Sequence, residues 1–122
     1  PVHNFSHALG AVCHIHHGEA NAVLLPTVIE EFADFYVPVA DRLKAVFGIT
    51  GVDGRDAVLA CAAAIRGLLD TIGHPQDFAR HDIAPSMLPE IAAAVAHDPL
   101  AAFLPLPQDL IETVCRRVCG WA

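Results

Sequence analysis

Five of the eight histidines in this 122-residue chain lie near its start, between His3 and His17. His3 and His7 are four residues apart in a stretch with a helical pattern, so we expect both side chains on one helix face. Neutral imidazole is the commonest protein ligand for borderline divalent metals. The pair is therefore a candidate for half of a metal site, whereas His14 and His16 are interpreted as polar surface residues or residues paired with backbone carbonyls.

The elements that must position these histidines are predicted to be helices. Apolar residues recur at helical spacing through most of the chain, and strand-like alternation is nearly absent. The sequence predicts an all-α, multi-helix fold in a single domain, residues 1–122. Gly48 is expected to end one helix and Asp53 to cap the next. The helices are predicted at 2–12, 18–33, 38–47, 55–72, 87–97 and 107–120, with one helical turn in the connection before residue 87.

Composition and charge exclude some classes of function. The chain has 7 Lys and Arg against 14 Asp and Glu, a net charge of −7, which argues against a nucleic-acid partner. The longest apolar run, 57–65, is too short to span a membrane. Hydrophobic residues nevertheless make up 54% of the chain. Such a share predicts that apolar faces meet a neighbouring domain or a partner chain, and an oligomer is expected.

The four cysteines, Cys13, Cys61, Cys115 and Cys119, lack the paired C-x-x-C spacing of a structural zinc site. No stretch resembles a secretory signal, so a reduced, cytoplasmic protein is expected. Cys115 and Cys119 are four residues apart on the last predicted helix and could form a metal or redox pair. Buried core thiols are the favoured interpretation.

A longer pattern runs through the histidine segment and beyond it. H-x3-H-x2-G is followed by H-G and then by A-N-A-V-L-L-P, which correspond to His3, His7, Gly10, His17, Gly18 and residues 20–26. This string resembles the start of the helical domain of the iron-containing alcohol dehydrogenases, a domain similar to that of dehydroquinate synthase. The likeness continues through 42–48, 74–90 and the proline-rich 98–107, and so covers nearly all of this chain but only the C-terminal portion of a family member.

The resemblance implies specific roles for three histidines. His3 and His17 match two metal ligands of the family, with the same spacing of fourteen residues. His7 matches a histidine that lies beside the nicotinamide and the substrate, where it would position the substrate or relay a proton. The implied cofactors are a divalent metal, Fe(II) first and Zn as the alternative, and NAD(P). The implied reaction is hydride transfer between a small alcohol or aldehyde and the nicotinamide.

The resemblance also implies that part of the site is missing. In the family, an aspartate and a third histidine that precede this segment complete the metal site, and an N-terminal nucleotide-binding domain carries the glycine-rich cofactor site. We expect that domain to be absent from this chain. Two imidazoles are fewer than the three protein ligands of a typical catalytic zinc site. The chain alone is therefore expected to be inactive, with the cofactor domain or another chain as its partner.

Four positions depart from the family pattern. His16 stands where the family has proline, Phe32 where it has asparagine, and Leu104 and Leu106 where it has asparagine and arginine. The change of polar residues to leucine leaves a second hypothesis open: a stand-alone helical module that binds a divalent metal or a protein partner and has no redox activity.

Overall fold

The fold is known from a computed structural model that describes residues 1–121. Over these residues the chain is helical and has no strand, which confirms the predicted all-α class. The α-helices are α1 (Val2–Cys13), α2 (His17–Glu31), α3 (Ala33–Tyr36), α4 (Ala40–Phe47), α5 (Gly54–Thr71), α6 (Leu88–Ala96) and α7 (Gln108–Cys119). Short 3-10 turns occupy Val37–Val39, Ala79–His81, Pro85–Met87 and Pro99–Ala102. No helix within 1–121 is long and apolar enough to cross a membrane.

The chain reverses between α1 and α2 in only three residues. His14 adopts the left-handed conformation, with φ of 57°, and its backbone N–H bonds to the carbonyl of Leu9. Ile15 is buried between two exposed histidines and anchors the turn in the core. His16 then caps α2, because its Nδ1 accepts the backbone N–H of Gly18 at 3.2 Å. The reversal places His17 at the first position of α2, beside α1.

Several predicted boundaries needed correction. The predicted helix 18–33 ends at Glu31, because Phe32 leaves the helical region (φ −101°, ψ 26°) and α3 begins anew. The predicted helix 38–47 opens as a 3-10 turn and becomes α-helical only at Ala40, although it ends at Gly48 with φ of 65° as expected. Asp53 precedes α5 as predicted, but its side chain pairs with Lys44 and makes no cap.

Helix α2 lies at the centre of the domain and contributes to two hydrophobic clusters. On one side it packs with α1 and α7, which in turn contact α6, and on the other with α5. Burial of apolar side chains on both sides of one helix fixes its neighbours relative to it. The larger cluster includes Phe5, Leu9, Val23, Leu24, Ile91 and Ile111, and the smaller includes Ile29, Ala33, Val58 and Ile65.

A partly buried ion network joins α2 to the helices on both of its sides. Glu30 accepts hydrogen bonds from Arg66 of α5 at 2.7 and 2.8 Å and from Arg117 of α7 at 2.6 Å. The hydrogen bonds from Arg66, reinforced by Arg117, hold the pKa of Glu30 below its ordinary value, although burial acts in the opposite direction. The network thus favours the ionised carboxylate in the folded state.

The central position of α2 predicts different costs for truncating two adjacent leucines. Leu24 is fully buried, whereas Leu25 is 37% exposed. We expect Leu24→Ala to lower the free energy of unfolding by about 2–5 kcal/mol, because it removes buried methyl groups and leaves a cavity. Leu25→Ala, the matched control, should cost less than about 1 kcal/mol. Urea unfolding followed by circular dichroism measures both, and equal costs would contradict the packing described.

The lowered pKa of Glu30 predicts a pH-dependent contribution to stability. A carboxyl whose pKa is lower when folded stabilises the fold above its unfolded pKa, about 4.3 for glutamate, and this stabilisation is lost as the pH falls through the folded pKa. Glu30→Gln should therefore destabilise the protein at neutral pH, and its difference from wild type should shrink below about pH 4.3. Glu90→Gln, at an exposed position, is the control. A difference that does not change with pH would rule out this effect.

Candidate functional site

Three histidine rings meet where α1 lies beside the start of α2. The ring centroids of His3 and His7 are 5.7 Å apart, those of His3 and His17 are 5.5 Å apart, and those of His7 and His17 are 5.8 Å apart. His3 and His7 are one helical turn apart on α1, and the reversal at 14–16 adds His17. The structure thus brings together the three residues that the sequence singled out.

The cluster faces outward because α1 is amphipathic. All three histidines are exposed. Phe5, Ala8 and Leu9 of α1 are instead buried in the larger hydrophobic cluster. The side chain of His7 is 49% exposed. An exposed group of imidazoles above a close-packed core can be approached by a ligand without rearrangement of the helices.

The donor chemistry of the cluster suits a divalent metal, but the number of donors is small. Imidazole nitrogen suits iron and zinc. Within residues 1–121, however, no group of three or more His, Cys, Asp or Glu side chains is arranged to hold a metal ion. A catalytic zinc site typically has three protein ligands. The residues therefore fit part of a coordination sphere, and the remaining ligands would have to come from outside them.

His7 has a partner that the sequence did not reveal. Its Nδ1 lies 2.9 Å from Oδ2 of Asp98, whose side chain is only 6% exposed. The two residues are 91 positions apart in sequence. Asp98 is the first residue of the proline-rich stretch 98–107, and no periodicity or spacing in the sequence connects it with the histidine segment.

A hollow of about 340 Å³ adjoins His3. Its wall includes the apolar side chains of Phe35, Leu100 and Leu104 as well as the buried Asn4. The Nδ2 of Asn4 has no hydrogen-bond partner within the described residues. The hollow therefore combines an imidazole and a mainly apolar wall, which suits a small molecule with one polar end.

Leu104 and Leu106, where the resemblance implies polar residues, line a second surface feature. They belong to the wall of a groove of about 280 Å³, together with Phe32, Phe35 and Leu110. Phe35 and Leu104 also line the hollow beside His3. These two residues thus connect the groove with the hollow.

The other two departures have structural explanations. His16, where the family has proline, caps α2 through its ring nitrogen. Phe32, where the family has asparagine, is 6% exposed and packs edge-on against Phe5, with ring centroids 6.3 Å apart. Both residues stabilise the reversal and the core below the histidines.

The cysteines belong to the core and not to the site. Cys115 is 1% exposed and Cys119 is 8% exposed, in agreement with the favoured interpretation of core thiols. Burial, with a smaller contribution from neighbouring groups, raises the pKa of each of these thiols to about 12. Because the thiolate is the form that binds metals and exchanges disulfides, such thiols are poor candidates for either chemistry.

Comparison with known proteins identifies relatives of the chain and of its helical fold. The chain matches the model of the Fe-containing alcohol dehydrogenase family, C-terminal, over residues 1–117. It is 31% identical to the lactaldehyde reductases of Escherichia coli strains K12 and O157:H7 over 99 residues, which are 80% of this chain and 26% of the relative. The crystal structure of a 1,3-propanediol oxidoreductase superposes with a TM-score of 0.80 and 29% identity, covering 96% of this chain and 32% of that one.

The helical fold and the histidine segment thus place the chain in a defined class. It belongs to the Fe-containing alcohol dehydrogenase family, in the C-terminal helical part of that family's proteins. It spans about a quarter of the length of the curated relatives and about a third of the structural one.

The burial of the thiols predicts their order of modification. At about pH 8, where an ordinary thiol is partly ionised, iodoacetamide should label the half-buried Cys13 first. Cys115 and Cys119 should be labelled only after unfolding in guanidinium, which peptide mass spectrometry can follow. Rapid labelling of either residue in the folded protein, or a disulfide between them, would contradict their assignment to the core.

Proposed function

We propose that this chain is the metal-binding helical part of an NAD(P)-dependent, iron-type alcohol dehydrogenase. The observation that carries the proposal is the contact between His3 and His17, whose ring centroids are 5.5 Å apart although the residues are fourteen positions apart in sequence. The chain that brings them together belongs to the Fe-containing alcohol dehydrogenase family. The reaction would interconvert small alcohols and aldehydes. A bound divalent metal would polarise the alcohol oxygen as a Lewis acid, and a nicotinamide would accept the hydride.

In this proposal, some histidines of the chain bind the metal and another accepts a proton. His3 and His17 would bind the metal, Fe(II) first and Zn as the alternative, through neutral ring nitrogens. His7 lies 5.7 and 5.8 Å from them, ring centre to ring centre, and would contact the nicotinamide and the substrate. There its Nε2 could accept the proton that an alcohol loses. The hollow beside His3 would receive the carbon chain of the substrate.

The rest of the proposed site would come from a nucleotide-binding part that precedes this segment in the longer relatives. That part would supply an aspartate and a third histidine to the metal, as well as the glycine-rich cofactor loop. Exposed apolar side chains support a docking role for the proline-rich stretch 98–107. Leu100, which lines the hollow beside His3, is 44% exposed, and Phe103 in the same stretch is 89% exposed. Further exposed apolar residues support contacts between chains in an oligomer: Val46 on α4, Leu68 on α5 and Ile72 directly after α5.

The apolar groove favours a second candidate function. Leu104 and Leu106, where the family resemblance implies asparagine and arginine, line this groove together with Leu110. In a stand-alone helical module that binds a metal or a protein partner without redox chemistry, such a groove would bind apolar side chains of the partner. The two candidates differ in which residues hold a metal.

Titration of the chain with Fe(II) under anaerobic conditions, and separately with Zn(II), tests the proposal by calorimetry. We expect one metal per chain, bound weakly because only two imidazoles are supplied. His3→Ala and His17→Ala should each abolish measurable binding, whereas His7→Ala should retain it. With NAD(P) and a small alcohol, the chain alone should show no turnover.

His14→Asn is the matched control, since His14 is exposed in the same segment and asparagine tolerates its left-handed conformation. It should bind metal as the wild type does. Loss of binding in this control would favour the second candidate function, because the metal would then be held outside the proposed pair. Equal loss on replacing His3, His7 or His17 would overturn the separate role of His7.

A further inference from the structure

The contact between Asp98 and His7 has features that a simple surface ion pair lacks. Asp98 is almost fully buried, yet it reaches an imidazole that is half exposed. Each of its two carboxylate oxygens has its own partner: Oδ2 lies 2.9 Å from Nδ1 of His7, and Oδ1 accepts the backbone N–H of Leu100 at 2.9 Å. Burial of a carboxylate is costly unless its oxygens are hydrogen-bonded, and here both are.

The backbone around Asp98 holds the carboxylate in place. The N–H of Asp98 bonds to the carbonyl of Val95 at 3.3 Å, and its own carbonyl accepts the N–H of Ala101 at 2.8 Å. Pro99 follows it and begins the 3-10 turn Pro99–Ala102. Backbone hydrogen bonds thus hold Asp98 on both its N–H and its carbonyl side, so that its side chain can orient the ring of His7.

We propose that Asp98 is a positioning residue that holds His7 in the tautomer with the proton on Nδ1. A carboxylate accepts hydrogen bonds and donates none, so the nitrogen that faces it must be the donor. A neutral imidazole has a single N–H, and the lone pair then lies on Nε2. This inference rests on the proposed function for its chemical use: Nε2 could accept a hydrogen bond from a substrate hydroxyl beside His3 and His17.

A capping role alone does not account for the placement of Asp98. Asp77 makes the same kind of turn contact, because its Oδ1 accepts the N–H of Ala79 at 3.0 Å, yet Asp77 is exposed. An aspartate in this protein can thus accept the N–H two residues further on without burial of its carboxylate and without a second partner. The use of Oδ2 for His7 is the feature that distinguishes Asp98.

Nitrogen-15 NMR of the histidine side chains in the 122-residue chain tests the proposal directly. The pH is kept well above about 6.5, the ordinary pKa of imidazole, so that the two neutral tautomers are compared. The His7 signals are assigned from the spectrum of His7→Gln. We expect a protonated Nδ1 and an unprotonated Nε2 in the wild type. A wild-type His7 with its proton on Nε2 would overturn the proposal without any variant.

Asp98→Asn is the sharpest variant because its amide oxygen can still accept the N–H of Leu100. Its NH2 group then faces His7 and requires Nδ1 to accept, so the tautomer should switch to Nε2–H. Replacement of an orienting carboxylate by its amide is known to leave geometry intact while imposing the wrong tautomer. Asp98→Ser keeps a capping oxygen but cannot hold His7, and should give a mixture of tautomers.

Asp77→Asn is the matched control and should leave the His7 signals as in the wild type. Unchanged His7 signals in both Asp98→Asn and Asp98→Ser would overturn the proposal. The Fe(II) titration separates this result from the proposed function, because Asp98→Asn retains His3 and His17 and should bind metal as the wild type does. A wild type that binds no metal would defeat the proposed function while leaving the tautomer result to stand on its own.

Discussion

The tight reversal between α1 and α2 is the constraint on which the histidine cluster depends. Three residues turn the chain, and the buried Ile15 between two exposed histidines holds the turn against the core. Since α1 supplies His3 and His7 while α2 begins with His17, any loosening of this turn would separate the rings. The capping contact of His16 and the left-handed His14 then become structural features, although both are histidines beside a candidate metal site.

The rest of the fold keeps the two helices at that turn in register. Helix α2 is buried on two sides, and Glu30 joins it through arginines to α5 and α7. A helix held on several sides has little freedom to rotate, so the position of His17 is fixed by packing far from the cluster itself. The exposed histidines are thus placed by buried residues, an arrangement that keeps their nitrogens open to a ligand.

The proline-rich stretch after α6 has a larger part in the site than a connecting loop would suggest. Asp98 lies at its start and reaches His7, while Leu100 and Leu104 form part of the hollow beside His3. One short segment thus supplies both the polar contact to His7 and part of the apolar wall beside His3. Of the two leucines that stand where the resemblance implies polar residues, Leu104 lines both this hollow and the groove, whereas Leu106 lines the groove alone.

The sequence by itself determined the helical class and the approximate helices, because helical periodicity is a local pattern. The H-x3-H spacing singled out His3 and His7, whereas His17 was added only by the resemblance to the iron-containing alcohol dehydrogenases. It misplaced the end of α2, where Phe32 leaves the helical conformation, and the start of α4, where the 3-10 turn Val37–Val39 comes before the helix. Only the tertiary structure decided that the ring of His17 lies beside those of His3 and His7, that Cys61, Cys115 and Cys119 are enclosed in the core, and that Asp98 pairs with His7. His7 and Asp98 are 91 positions apart, and their contact arises from how the helices pack. The spacing of residues along the chain therefore does not predict it.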